Sequence, residues 1–128
     1  MAAFMGKFTG ETYALMRFFA GFLFLWHGAQ KLLGFPAPPP EMPPLLMYSA
    51  GTIELVGGTL VALGLFTRWS AFVCSGAMAV AYWLAHGRSE LFPLLNQGEL
   101  AALYCFVFLY ISAHGGGMWS IDRARGAT

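Results

Sequence analysis

Hydrophobic residues fall into four long segments, separated by residues that end or weaken helices. Each segment is close to the ~20 apolar residues that an α-helix needs to cross the core of a bilayer. Between the first two, residues 35–47 hold six of the seven prolines, which fix φ and remove main-chain donors, so a loop is predicted there. The pattern predicts an all-α fold, a four-helix bundle forming one domain over residues 1–128, with helices at about 12–34, 48–66, 69–87 and 98–115.

The composition indicates that lipid, and not water, surrounds most of the chain. Hydrophobic residues make up 58% of it and charged residues 10%, whereas a soluble domain carries about 25% charged residues. The net charge is +1 and no run of basic residues occurs, which excludes the electrostatic surface of a nucleic-acid-binding protein. We therefore predict an integral membrane protein whose partner is the lipid bilayer, and no nucleic-acid partner.

The positive charges predict an orientation. Four crossings leave both termini on the same side, and cytoplasmic segments are enriched in lysine and arginine. The side that holds the termini has Lys7, Arg17, Arg68, Arg123 and Arg125. The other side has Lys31 and Arg88. Both termini are therefore predicted to be cytoplasmic, with the proline-rich loop outside.

Polar residues near the outer end of the helices predict a pocket. His27, Gln30 and Lys31 share one face of the first helix because they are three or four residues apart. Glu54 of the second helix lies at a similar depth, and a charge inside hydrocarbon costs at least about 2.5 kcal/mol. We expect Glu54 to pair with Lys31 or His27. Tyr104 of the fourth helix reaches the same level, so the outer half of the bundle is predicted to enclose a polar pocket.

These residues have structural as well as chemical interpretations. Lys31 with Glu54 is consistent with a reactive pair and equally with a structural ion pair that fixes helix register. Arg17 and Glu99 are also expected to form structural ion pairs. His27 is suited either to hydrogen bonding with a neighbouring carbonyl or to proton exchange.

Metal and disulfide chemistry are not predicted. His27, Glu54 and His86 lack the spacing of a metal-binding motif. Cys74 and Cys105 are expected at different depths and form no C-x-x-C motif, so both are predicted to pack as small hydrophobic residues.

Several motifs resemble one family as a set. The first helix carries W-H-G-x-x-K at residues 26–31, and the second carries E-L-V-G-G at residues 54–58. L-G-L-x-T-R follows at residues 63–68 and S-I-D at residues 120–122. In this combination the chain resembles the DoxX family of bacterial and archaeal membrane proteins over nearly its whole length. The positions that match the family pattern are His27, Lys31, Glu54, Gly57, Gly58, Arg68, Glu99 and Asp122.

The resemblance implies a four-helix, multi-pass subunit of the bacterial or archaeal cytoplasmic membrane that is associated with redox chemistry. The leading hypothesis is the membrane subunit of a quinone-linked oxidoreductase complex. In it, His27, Gln30, Lys31, Glu54 and Tyr104 bind a quinone, with His27 and Glu54 as the candidate proton carriers. The sequence has no dinucleotide, haem or iron–sulfur motif, so no cofactor other than a quinone is expected and electrons come from a partner or a substrate.

A second hypothesis from another class is a non-enzymatic subunit that assembles or anchors a complex, or a transporter of small solutes. An ion pair and faces of small residues suffice for assembly. Under either hypothesis we expect a homo-oligomer or a complex with other redox subunits.

Overall fold

The computed structural model describes residues 3–86 and 91–127, and within these ranges it is helical with no strand. Four long helices make up most of the fold: α1 (Thr9–Leu33), α2 (Pro44–Leu63), α3 (Thr67–Ala85) and α4 (Glu99–His114). Helix α2 contains a π-helical segment, Ile53–Gly57, between two α-helical parts. Single helical turns occur at Ala3–Gly6, Pro93–Asn96 and Ile121–Ala124. The prediction of an all-α fold is confirmed.

Several helix boundaries differ from the predicted ones, by up to four residues. Helix α2 begins at Pro44, inside the predicted loop, because proline suits the first turn of a helix, where its missing N–H would have no partner. The turn between α2 and α3 lies before Thr67, not at residues 67–68. There Gly64 ends α2 in the left-handed conformation, with φ of 69°, which glycine adopts without strain. Residue 87, the predicted end of the third helix, and Arg88 lie outside the described residues.

The helices pack as two hairpins. Helix α1 packs against α2 along most of its length, and α3 packs against α4 in the same way. The contacts between α2 and α3 and between α1 and α4 are smaller. Aromatic rings fill the centre: Phe24 of α1 lies with its ring centroid 5.0 Å from that of Tyr104 and 4.8 Å from that of Phe108, both on α4. Such ring pairs contribute stabilisation beyond that of buried area. This aromatic contact joins the two hairpins.

Glycines bring the main chains of α1 and α2 into direct contact. A Cβ atom on Gly28 would lie 2.6 Å from the carbonyl oxygen of Gly51. Seven residues earlier on α1, a Cβ atom on Gly21 would lie 2.5 Å from the carbonyl oxygen of Gly58. Small residues at such positions are typical of helices that associate within lipid. We call these four residues the glycine seam.

The segment after α4 packs against α1 at the end of the molecule where α4 ends, which is the end away from Lys31. Arg17 of α1, which is 2% exposed, donates to the carbonyl oxygens of Trp119, at 3.0 Å, and Gly116, at 3.4 Å. The hydroxyl of Tyr13 donates to the carbonyl oxygen of Gly115 at 2.6 Å. A buried cation on α1 thus holds the C-terminal segment by its main chain.

Asp122 fixes the start of α3. Its Oδ1 accepts from the N–H of Phe66 at 2.9 Å, and its Oδ2 accepts from the N–H and the hydroxyl of Thr67 at 2.8 and 2.7 Å. These N–H groups belong to the helix terminus, where intrahelical acceptors are lacking. Asp122 therefore acts as the N-terminal cap of α3, although it lies 55 residues away from Thr67 along the chain.

Much of the solvent-accessible surface of the molecule is apolar. Large hydrophobic side chains that are more than half exposed occur on all four long helices, among them Leu23, Val56, Phe72 and Phe106. Of the described helices, Pro44–Leu63 is long and apolar enough to cross a membrane, and Glu99–His114 is apolar but shorter. The four crossings and the cytoplasmic termini stay predictions.

The glycine seam predicts a steric test. Gly28→Ala should lower the free energy of unfolding by about 1–3 kcal/mol, because the added methyl group overpacks a main-chain contact. Gly76→Ala is the matched control, since nothing lies within 4 Å of a Cβ atom there, and the change should be neutral or stabilising by up to about 1 kcal/mol. Thermal unfolding of the detergent-solubilised protein measures both. Equal stability of the two variants would contradict the proposed close contact.

Asp122 predicts a dependence of stability on pH. Burial opposes ionisation of the carboxyl group, but the hydrogen bonds from Thr67 and Phe66, with the nearby Arg125, hold its pKa below the usual value. A lowered pKa means that ionised Asp122 stabilises the fold above its unfolded pKa of about 4, and that this contribution declines as the pH falls towards the lower folded value. Asp122→Asn should lose about 1.5–3 kcal/mol at neutral pH. Its stability should also change less than that of the wild type between pH 6 and 3, as followed by thermal unfolding.

Candidate functional site

A buried ion pair links the first two helices near the outer end of the predicted bundle. Lys31 lies in the last turn of α1, and Glu54 is the second residue of the π-helical segment of α2. Lys31 Nζ lies 2.7 Å from Glu54 Oε1, and the two side chains are 14% and 4% exposed. A pair this enclosed is costly to desolvate, and the direct contact offsets part of that cost.

The π-helical segment determines how Glu54 is presented. A π turn contains more residues than a regular α-helical turn and is found frequently at functional sites. The segment ends at Gly57, where a Cβ atom would lie 2.5 Å from the Sγ atom of Cys74 on α3. Since the glycine seam holds α1 against α2 on one side of this turn, and Cys74 packs against it on the other, neighbouring helices enclose the widened turn.

His27 and Tyr104 complete the surroundings of the ion pair. Their ring centroids are 6.2 Å apart in an edge-on arrangement, which joins α1 to α4. His27 is half-buried and within electrostatic range of both Glu54 and Lys31. Tyr104 is buried and within electrostatic range of Glu54. Residues from three helices thus meet around one carboxylate.

Gln30 faces the proline-rich loop and not the ion pair. Its Nε2 donates to the carbonyl oxygen of Pro38 at 2.9 Å, which ties the loop to α1. Next to this bond a shallow recess of about 180 Å³ is lined by Trp26, His27, Gln30, Pro36 and Ala37. His27 lines this recess and is also within electrostatic range of Glu54. It therefore lies between the recess and the ion pair.

The other two predicted ion-pair residues lie elsewhere. Arg17 is about 21 Å from Lys31 along α1, at 1.5 Å per residue, and its hydrogen-bond acceptors are the main-chain carbonyls described above. Within residues 3–86 and 91–127 Arg17 forms no ion pair, because the C-terminal segment supplies carbonyl oxygens as its hydrogen-bond partners. Glu99 is exposed in the first turn of α4.

Sequence reasoning missed the C-terminal cluster as a unit. The sequence predicts no contact for Asp122 or Arg68, yet Arg68 donates to the carbonyl oxygens of Ser112 and His114 at 3.2 Å. The three glycines at residues 115–117 followed by S-I-D were the available signal. They mark a tight chain reversal followed by a carboxylate.

The geometry offers proton transfer and hydrogen bonding, not metal chemistry. Among residues 3–86 and 91–127, no three histidine, cysteine or acidic side chains lie close enough to hold a metal ion. Cys74 and Cys105 are free thiols. Histidine, tyrosine and glutamate are groups that donate or accept protons, and here they are grouped where water is largely excluded.

The ion pair predicts an asymmetric response to mutation. Lys31→Met should cost about 3 kcal/mol of stability, because it leaves a buried carboxylate without a cation. The double variant Lys31→Met with Glu54→Met should recover most of that loss, since no charge then remains buried. Unfolding in detergent of the single and double variants measures the coupling between them. A double variant that is less stable by the sum of both single losses would show that the two residues act independently.

Comparison with known proteins places the chain in a family. The model of the DoxX family matches residues 12–87, which include most of α1 and all of α2 and α3. An uncharacterized protein of Haemophilus influenzae is 42% identical over 118 residues, which covers 86% of this chain and 87% of the relative. No solved structure matches the chain. With the family match and a relative this similar over nearly its full length, the chain belongs to the DoxX family of membrane-associated proteins.

Proposed function

We propose that this chain is the membrane subunit of a quinone-linked redox complex in the cytoplasmic membrane. The observation that carries the proposal is the buried Lys31–Glu54 pair with His27 and Tyr104 beside it. A carboxylate that is 3% exposed in a chain with so apolar a surface is costly to keep. Ionisable groups within the membrane mark proton relays and substrate sites more often than ordinary packing.

Four crossings with cytoplasmic termini fit the distribution of charge and apolar surface. The exposed apolar side chains on all four helices need lipid to cover them. The charges inside α1 are compatible with its insertion, because both terminal nitrogens of Arg17 donate to carbonyl oxygens and Lys31 pairs with Glu54. Arg17, Arg68 and Arg125 all contact the α2–α3 turn or the C-terminal segment, at the end opposite Lys31. That clustering agrees with the positive-inside rule.

The quinone ring would lie at the recess beside His27. Quinone oxygens accept hydrogen bonds, and the side chains of His27 and Gln30 line this recess. Reduction of a quinone to a quinol takes up two electrons and two protons. His27 would hand protons to the quinone oxygen, and Glu54, enclosed behind it, would exchange protons with His27. The electrons would come from another redox subunit of the complex or directly from a substrate, because this chain carries no electron-carrier motif of its own.

One observation favours a second candidate function, the anchoring of a complex. The Lys31–Glu54 contact is closed, and the glycine seam lies directly beside it. A pair in this position fixes the register of α1 against α2 whether or not a ligand binds. In an anchoring subunit the pair would therefore affect assembly alone, and quinone content would not depend on it.

Co-purifying quinone provides the test. Protein solubilised under mild conditions should contain roughly one quinone per site, measured by solvent extraction and mass spectrometry. Glu54→Gln and His27→Ala should lower that content at least fivefold while the protein stays folded, because they remove the proposed proton carriers and a hydrogen-bond donor. Glu99→Gln is the matched control, since it neutralises an exposed carboxylate on α4 and should leave quinone content unchanged. Background quinone in the wild type would reject the proposal in favour of the anchoring role.

A further inference from the structure

A groove on the surface of the molecule lies between α2 and α3, away from His27. It encloses about 320 Å³, and its lining includes Val56 and Leu60 of α2 and Val73 of α3. Along α2 it extends from Thr52 to Leu60, which is about 12 Å at 1.5 Å per residue. This length is close to half of the ~30 Å hydrocarbon core, the depth of one leaflet.

The groove offers an occupant no free hydroxyl group. Its lining includes two hydroxyl side chains, but each donates to the carbonyl four residues earlier in the chain. Thr52 Oγ1 donates to the carbonyl oxygen of Tyr48 at 2.7 Å, and Ser70 Oγ donates to that of Phe66. The occupant of the groove must therefore be apolar along its length.

An exposed arginine lies at the end of the groove near the C-terminal segment. Phe66, which lines this end, lies under the guanidinium of Arg125, 4.9 Å from its ring centroid. The Arg125 side chain is 47% exposed and forms an ion pair with Asp122 at 3.6 Å, and the Asp122 oxygens also accept shorter hydrogen bonds from the start of α3. Trp69, 76% exposed, lies at the same end, as is usual for tryptophan at a membrane interface.

We propose that this groove binds an acyl chain of an anionic phospholipid whose head group is held by Arg125. The proposal rests on the membrane location given above but not on quinone binding. The apolar lining with one exposed cation at its end matches a hydrocarbon chain joined to an anionic head group. A head group carrying phosphate matches the guanidinium at the mouth.

Native mass spectrometry with defined lipids tests the proposal. The detergent-solubilised protein is titrated with phosphatidylglycerol and with phosphatidylcholine of identical acyl chains. Phosphatidylglycerol should bind about fivefold more tightly, the factor expected from one basic residue near the membrane surface. Arg125→Gln should abolish this preference. Lys7→Gln is the matched control, because Lys7 also lies over a phenylalanine ring, that of Phe8, which does not line the groove.

Filling the groove provides a second test. Val56→Trp and Val73→Trp add bulk at half-exposed positions, and each should reduce binding of the first lipid of either kind. Two variants are used so that at least one folded protein is available, as judged by thermal unfolding. Equal affinity for the two lipids in the wild type, or an unchanged preference in Arg125→Gln, would overturn the proposal. A dimer that the tryptophan variants dissociate would instead assign the groove to a second copy.

Quinone content measured in the same preparations separates this proposal from the proposed function. Arg125 and Val56 do not border the recess beside His27. Lipid selectivity without bound quinone would therefore reject only the redox role. Bound quinone without lipid selectivity would reject only the groove.

Discussion

The main-chain contact between α1 and α2 is the constraint on which the rest of the structure depends. Gly28 faces Gly51 across this contact, and Lys31 and Glu54 each follow three residues later. The two helices are antiparallel, so Lys31 and Glu54 lie nearly one turn from this contact in opposite directions, and the long Lys31 side chain spans the distance to the carboxylate. A larger residue at either glycine would separate the helices and expose two charges to an apolar environment.

The two ends of the molecule satisfy buried charge in different ways. At one end a lysine meets a carboxylate, with a histidine and a tyrosine nearby. At the other end Arg17 and Asp122 are bound mostly by main-chain groups. Main-chain partners do not gain or lose protons near neutral pH, so the second arrangement suits a structural role. The first contains groups that exchange protons, and for this reason the redox proposal is placed there.

The sequence was sufficient to predict what depends on spacing and depth. The helical segments follow from hydrophobic runs, and the pairing of Lys31 with Glu54 follows from the position of both residues in the same half of adjacent helices. Other features depend on tertiary contacts that spacing does not encode. Gln30 shares a helix face with Lys31 but bonds to Pro38, because the loop folds over it. The π-helical turn at Ile53–Gly57 has no signature beyond a pair of glycines.

The long-range cap on α3 has a consequence for biogenesis. The first hairpin needs only contacts between residues close in sequence, so it can form as soon as α2 has left the ribosome. The N–H groups of Phe66 and Thr67, by contrast, receive their acceptor from Asp122, which is synthesised after all four long helices. Until then the turn between α2 and α3 depends on water or lipid head groups for its hydrogen bonds. The second hairpin therefore gains its last stabilising contact at the end of synthesis. A chain truncated before Asp122 would lack the cap on the turn between α2 and α3.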